Sequence, residues 1–369
     1  MSAPPATRSS IPRGPIVNSL KAGQLPRFIE LYTVIGALVL SAGVLALMGR
    51  LNVVGELVVS AIIYLVAIGV MSSLVENRRK ATDRFVRGLV TVAFLLAMAP
   101  LVSTLATVVI RGIGEVDWAF ISTTTAHVFN PKTLVVSTST GALQGIVGTL
   151  IITGIAALIS IPIGILTAIY LVEYAGGGNW LSRTVTFLVD VMTGIPSIVA
   201  GLFAFALFSL LFGPKAVSGF SASIALCVLM IPIVVRSSEE MLKLVSLELR
   251  EASYALGVSK FATITKIVLP TAIAGLVTGV TLAIARVIGE TAPIFIAASF
   301  TDNLNTNAFF GAMSSLATMA LTGFKFPSTD IQASIGSAWG AATLLIILVV
   351  ILNLIARIVA RVFAPKGLR

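Results

Sequence analysis

The chain has 369 residues, of which 57% are apolar and only 11% charged, and its mean hydropathy is +1.04. A soluble domain carries roughly 25% charged residues, so this load cannot cover a water-exposed surface, and the chain reads as an all-α polytopic membrane protein. The net charge of +10 then reports topology before any nucleic-acid partner, while one cysteine (Cys227) and one histidine (His127) exclude an internal disulfide and leave no Cys/His metal site or Cys–His nucleophile pair.

Residues 1–29 are polar and Pro/Ser-rich, carry Arg8, Arg13, Lys21 and Arg27, and show no apolar period. They read as a disordered cytoplasmic tail. The apolar run that follows lacks a small-residue cleavage site, so it is expected to be a retained span. About 20 apolar residues cross a bilayer core, and eight such runs occur, near 31–49, 52–71, 88–110, 142–172, 184–212, 222–236, 270–299 and 336–360. The fourth and fifth exceed one span and should tilt, bend or extend beyond the bilayer, with Pro162 and Pro196 as bend points because each removes a backbone donor. The sixth is short.

The polar, basic stretch 72–87 separates a leading pair of helices (30–75) from the remainder (76–369) and is long enough for a short amphipathic helix on the inner surface. Glycines 141, 145, 148, 154 and 164 suit close helix packing. Gly176-Gly177-Gly178 lacks the GK[ST] ending of a nucleotide-phosphate loop. Segment 300–335 reads as an outer loop whose apolar patch, Met313–Leu321, can form a helix lying on the outer face. With both termini inside, nineteen of the 25 basic residues fall on the inner side and five outside, with Arg286 within a span. That is the positive-inside pattern of eight helices.

Between the sixth and seventh spans, Leu242, Val245, Leu249, Ala252 and Leu256 recur at steps of three and four, which predicts an amphipathic helix. Gly257 should stop or bend it, and a second helical piece from Lys260 to Leu269 runs into Pro270. Glu251-Ala252-Ser253, then Gly257, Ile267 and Leu269-Pro270, resembles the EAA motif of ABC importer permeases, with Ser253 where a second alanine is usual. Arg286-Val-Ile-Gly-Glu290-Thr-Ala-Pro293, Gly194-Ile-Pro196-Ser197 and Pro232-Ile-Val-Val-Arg236 narrow the resemblance to the phosphate-permease branch, the PstA family, over about residues 80–365.

Within the seventh run Arg286 and Glu290 are four apart and therefore on one helix face. A membrane arginine needs a partner, protein interior or water, and Glu290 is the expected partner in the empty state. Arg286 reads either as half of a structural pair or as a planar fork for a tetrahedral oxyanion; the resemblance favours the second. It also implies a path or gate role for Arg236, which Glu239 and Glu240 could hold while the cavity is empty. Thr193 and Ser197 flank the Gly-Ile-Pro break and could line a cavity. Glu56 and Asp190 read as interfacial or packing groups.

The resemblance implies a six-helix, MetI-like type I ABC importer core plus two extra N-terminal helices, in a bacterial cell membrane, with 237–269 as the loop that docks on an ATPase. It implies no enzyme activity and no cofactor in this chain, ATP and Mg being handled by the ATPase. The implied partners are a homologous permease (PstC-like), two ATPase copies (PstB-like), an external binding protein (PstS-like) and phosphate. Two alternatives stand beside this: a permease for another substrate, in which Arg286 is structural, and a secondary transporter or membrane scaffold that needs no ATPase.

Overall fold

The computed structural model describes residues 25–26, 28–49, 52–76, 78–130, 135–175, 179–213 and 216–363. Most of the tail expected over 1–29, and the glycine run 176–178, lie outside the described residues. The chain groups into two compact units that divide after Ala106.

The first unit holds α1 (Ile29–Leu47), α2 (Val53–Val75) and most of α3 (Arg78–Gly112). Asn52 caps α2 by accepting from the Gly55 N–H, and Glu56 lies in the first turn, where a carboxylate complements the helix dipole. No separate surface helix forms over 72–87. Instead α2 runs to Val75, and α3 starts at Arg78 and continues for 35 residues. The reason is Glu76, whose buried carboxylate accepts from Ser72 Oγ at 2.7 Å and the Leu25 N–H at 3.1 Å and pairs with Arg84 Nε at 2.9 Å. Gathering those donors needs a sharp turn with Glu76 in extended backbone.

The second unit begins with the last turns of α3 and α4 (Trp118–Ser122). A β-hairpin follows, which the all-helical expectation did not contain: β1 (Thr124–Asn130) pairs antiparallel with β2 (Val135–Ala142), placing Ala126 opposite Ser139. Its signal was present in the β-branched residues that crowd both strands.

Next come α5 (Leu143–Ile169) with a π-helical turn at Tyr170–Tyr174, α6 (Trp180–Thr193), α7 (Ser197–Phe212) and α8 (Gly219–Lys243). Pro162 lies inside α5 without ending it. At Pro196 the expected bend is present and sharp: α6 and α7 meet at 107°. Proline pushes the residue before it out of the helical region, and Gly194 ends α6. The run 184–212 is therefore two helices. Conversely, the short sixth run is part of a 25-residue helix, the most buried of the long apolar helices.

The chain closes with α9 (Leu247–Ala255), α10 (Lys260–Thr263), a π-helical turn at Ile264–Val268, α11 (Leu269–Ile288), α12 (Ala292–Ala298), α13 (Leu316–Lys325) and α14 (Ile331–Phe363). The seventh run is thus divided, because α11 stops at Ile288 and α12 restarts after Thr291. Helix α13 forms where the apolar patch predicted one, but it does not lie on a face: Leu316, Thr318 and Met319 are buried. Among the described residues, seven helices are long and apolar enough to cross a membrane, or eight if the bent α6–α7 pair counts as one crossing.

Leu226, Met230 and Val234 of α8 form the centre, packed with Ile152 and Ala156 of α5, Ala283 and Val287 of α11 and Ile294 of α12. Lipid tails are as apolar as leucine, so close packing rather than exclusion from water favours helix association. Small residues make that packing close. A Cβ on Gly164 would meet Val234 side-chain atoms at 2.6 Å, and one on Gly148 would meet the Ser314 carbonyl oxygen at 1.9 Å. Gly154 has no such neighbour. Helices α8 and α11 run antiparallel, Met241 lying against Gly275 and Ser237 against Gly279.

Candidate functional site

The second unit has an open cavity of about 560 Å³ near the α6–α7 break, and its wall includes Thr193, Ser197, Arg236, Glu240, Arg286 and Glu290. The five residues singled out for a substrate path, scattered over nearly a hundred positions of sequence, thus meet in one space. Each reaches it by a different device. Thr193 and Ser197 arrive on the two sides of the break. Its hydroxyls differ, since Thr193 Oγ1 donates to the Asp190 carbonyl at 2.6 Å, whereas Ser197 lines the wall at the first turn of α7. Arg236 projects from α8 one turn beyond Pro232, which also lines the cavity. Arg286 occupies the last turn of α11, seven residues past Gly279, or about two turns farther from the loop end of the pair.

The anticipated Arg286–Glu290 pair does not form. The i, i+4 relation holds only on a continuous helix, and Glu290 lies in the turn beyond α11, its N–H bonded to the Val287 carbonyl at 3.1 Å. Among the described residues neither side chain has an ion-pair or hydrogen-bond partner, and Arg286 is exposed to the cavity.

Arg236 is held from two directions. Its Nη1 donates to Glu239 Oε2 at 2.8 Å, as the sequence suggested, while Glu240 lines the cavity without bonding it. Its Nη2 donates to Asp190 Oδ1 from α6, a contact that the reading of Asp190 as a packing group missed. Lys243 Nζ also donates to Glu239, at 2.7 Å. No cluster of three or more His, Cys, Asp or Glu suited to a metal occurs among the described residues.

The second site is the loop from α8 to α11. Its apolar stripe is divided: Leu242 and Val245 are buried in a cluster with Ala168, Val268, Ala272 and Leu276, whereas Leu249, Ala252 and Leu256 are exposed on and after α9. Gly257 has φ +77°, the left-handed conformation that favours glycine after a helix end. Glu251 is exposed and Ser253 buried. Ser253 Oγ lies 2.8 Å from Thr263 Oγ1, joining α9 to α10 across the turn. That hydroxyl pair gives a reason for serine where the motif usually has alanine. Leu269 packs partly on the same cluster, and the upstream π turn, in which the Leu269 N–H bonds the Ile264 carbonyl, precedes Pro270, which has no N–H to donate. Ile267 is half-buried within that turn.

Two contacts fasten the loop to the end of α5. Arg250 pairs with Glu173 at 2.9 Å, both largely buried, and donates to the carbonyls of Val245 and Leu242. Lys260 stands over the Tyr174 ring at 4.8 Å from its centroid. Neither contact was anticipated, since residues so far apart in sequence share no local pattern. Five large apolar side chains of the loop are also exposed: Leu244, Leu247, Leu249, Leu256 and Phe261.

The sequence and the fold are similar to those of known proteins. Residues 160–367 match the family described as binding-protein-dependent transport system inner membrane component. The phosphate transport system permease protein PstA 1 of Mycobacterium tuberculosis (strain CDC 1551 / Oshkosh) is 43% identical over 255 residues, covering 69% of this chain and 81% of that protein. PstA of Mycobacterium leprae (strain TN) is 42% identical over 276 residues, 74% of this chain and 86% of that protein. Among solved structures, an inward-facing MetNI methionine ABC transporter shares the fold, with a TM-score of 0.50 and 22% identity over 60% of this chain and 96% of that one. The motif-bearing loop and the arginine-lined cavity thus stand on a multi-pass ABC permease scaffold, and the chain belongs to the inner-membrane components of binding-protein-dependent transport systems and, within them, to the PstA permeases.

Proposed function

We propose that this chain is one of two membrane subunits of an ATP-driven importer of inorganic phosphate. The observation that supports it is the convergence of Arg236 and Arg286 on one cavity in a chain 43% identical to a phosphate permease. A guanidinium offers parallel N–H donors to two oxygens of a tetrahedral anion and stays charged at any physiological pH. Arg286, without an acidic partner among the described residues, offers that fork directly. Thr193 and Ser197 add hydroxyls, and Glu290 and Glu240 keep the path from holding a dianion too tightly to release it.

The partners are a PstC-like permease completing the path, a PstB-like ATPase dimer that binds ATP and Mg, and a PstS-like binding protein on the outer side. The exposed apolar surface around α9, with Glu251 and Ala252 on it, is the face for the ATPase. Its motion is passed on through the Arg250–Glu173 and Lys260–Tyr174 contacts to α5 and through Leu269-Pro270 to α11, alternating access to the cavity. Both termini are cytoplasmic.

The test is uptake of labelled phosphate in cells lacking the gene, restored by wild type or by Arg286→Gln, with membrane levels of each measured. Restoration by wild type but not by the folded variant is expected. Normal uptake by Arg286→Gln would remove Arg286 from the path, and no phosphate uptake by wild type with all partners present would overturn the substrate.

A further inference from the structure

The two carboxylates on Arg236 are not equivalent. Glu239 is on the same helix, its side chain is 12% exposed, and it is shared with Lys243, so it moves with Arg236 as a fixed counter-ion. Asp190 comes from α6, its side chain is 58% exposed, and Arg236 is its one ion-pair partner among the described residues. It sits in the last turn before the Gly194–Pro196 break, where α6 turns by 107° into α7. A contact between an exposed carboxylate and an arginine contributes little and exchanges easily. It also presents to Nη2 an oxygen of the kind that an entering oxyanion would present.

We infer that Asp190 is an internal stand-in for the transported oxyanion: it engages one edge of the Arg236 fork beside the cavity and is displaced when phosphate enters. The inference rests on the phosphate-path reading above. Glu239 keeps Arg236 oriented throughout, Glu240 and Glu290 face the same cavity, and Arg286 supplies the second cation. Asp190 is then a positioning residue that sets how strongly the path holds its anion. Displacing it breaks this one ion pair between α6 and α8 beside the break, so occupancy of the cavity is felt at α6.

The test is equilibrium binding of labelled inorganic phosphate to the whole permease–ATPase complex in nanodiscs, without ATP or the external binding protein. Asp190→Asn removes the competitor, so phosphate should bind about two- to fivefold more tightly, the range expected for loss of one exposed ion pair. The gain must vanish in D190N/R236Q, which should match R236Q alone, and Asp190→Glu should stay near wild type. Unchanged or weaker binding by D190N, or an equal gain in the R236Q background, would overturn the stand-in role. So would failure of the D190N complex to assemble, since an exchangeable pair adds little to folding. Arg286→Gln separates the two levels of argument. If it loses phosphate while D190N gains nothing, only the role of Asp190 falls. If it binds phosphate as wild type does, or wild type binds none, the path reading falls and this inference with it.

Discussion

Arg250 and Arg236 each meet a carboxylate from another helix, yet burial gives the two contacts different consequences. Arg250 and Glu173 are 12% and 6% exposed. Removing one partner of so buried a pair leaves a charge without compensation, which costs about 3–5 kcal/mol. Arg250→Ala should therefore lower the thermal midpoint of the assembled complex sharply, whereas R250M combined with E173L should recover most of the loss; equal midpoints for the single and double variants would argue against a charge penalty. Glu76 allows a prediction about pH. Burial pushes its carboxyl up, but hydrogen bonds from Ser72 and the Leu25 N–H, together with the Arg84 charge, outweigh burial and hold it below the ordinary carboxylate range. A depressed folded-state value contributes stability that is present above the unfolded value and lost as pH falls through the folded one. The first unit should therefore loosen on acidification through the carboxylate range, seen as faster proteolysis around residues 76–78, and Glu76→Gln should flatten that dependence. These residues were visible in the sequence as charges beside apolar runs, but the Leu25 N–H that bonds Glu76 lies 51 positions away and Glu173 lies 77 from Arg250, and those contacts follow from the fold.

The elements were legible where one local force decides and illegible where two compete. Apolar length located α1, α2 and α14 with ends displaced by up to five residues, and Pro196 gave the α6–α7 break. Apolar continuity concealed the stop of α11 at Ile288, because Gly289-Glu290-Thr291 interrupts the run too briefly to lower its hydropathy. The β-hairpin was hidden because a composition dominated by helices sets the expectation for a segment that shows no long apolar run. In the loop between α8 and α11, Gly257 was expected to stop or bend the helix, and it does so with positive φ. An added Cβ there meets nothing within 4 Å, so the cost of Gly257→Ala is conformational, about 1–2 kcal/mol, and not a clash. That variant should reach the membrane at normal levels while phosphate-dependent stimulation of the ATPase falls several-fold. Gly257→Asn, which tolerates left-handed backbone, should retain more of it. Equal stimulation in both variants and wild type would remove the turn from the coupling route.

At the scale of the whole molecule, the number of crossings and the distribution of charge must agree. Seven long helices alone would put the two termini on opposite faces; eight crossings put them on one. The difference is the α6–α7 pair, whose 107° bend suits either a broken span or a re-entrant loop by shape alone. Charge separates the two. Arg78, Arg79, Lys80, Arg84 and Arg87 precede the third span, Arg236 through Lys266 crowd the loop between α8 and α11, and Arg357 and Arg361 end α14. If α6–α7 returned to its own side, the coupling loop would lie on the face opposite the α2–α3 turn, and one of two basic clusters would be outside, against the positive-inside bias. A crossing by the bent pair would place both clusters and both termini inside and the hairpin outside. It would also set the Gly194–Pro196 break within the membrane, where freed backbone groups are tolerated only beside a polar cavity, and the arginine cavity adjoins that break. A reporter fluorescent only in the cytoplasm should therefore be bright at either terminus, and a cysteine introduced at His127 should react with a membrane-impermeant maleimide added from outside. A dark C-terminal fusion beside a bright N-terminal one would make α6–α7 re-entrant and place the coupling loop and the termini by a different count.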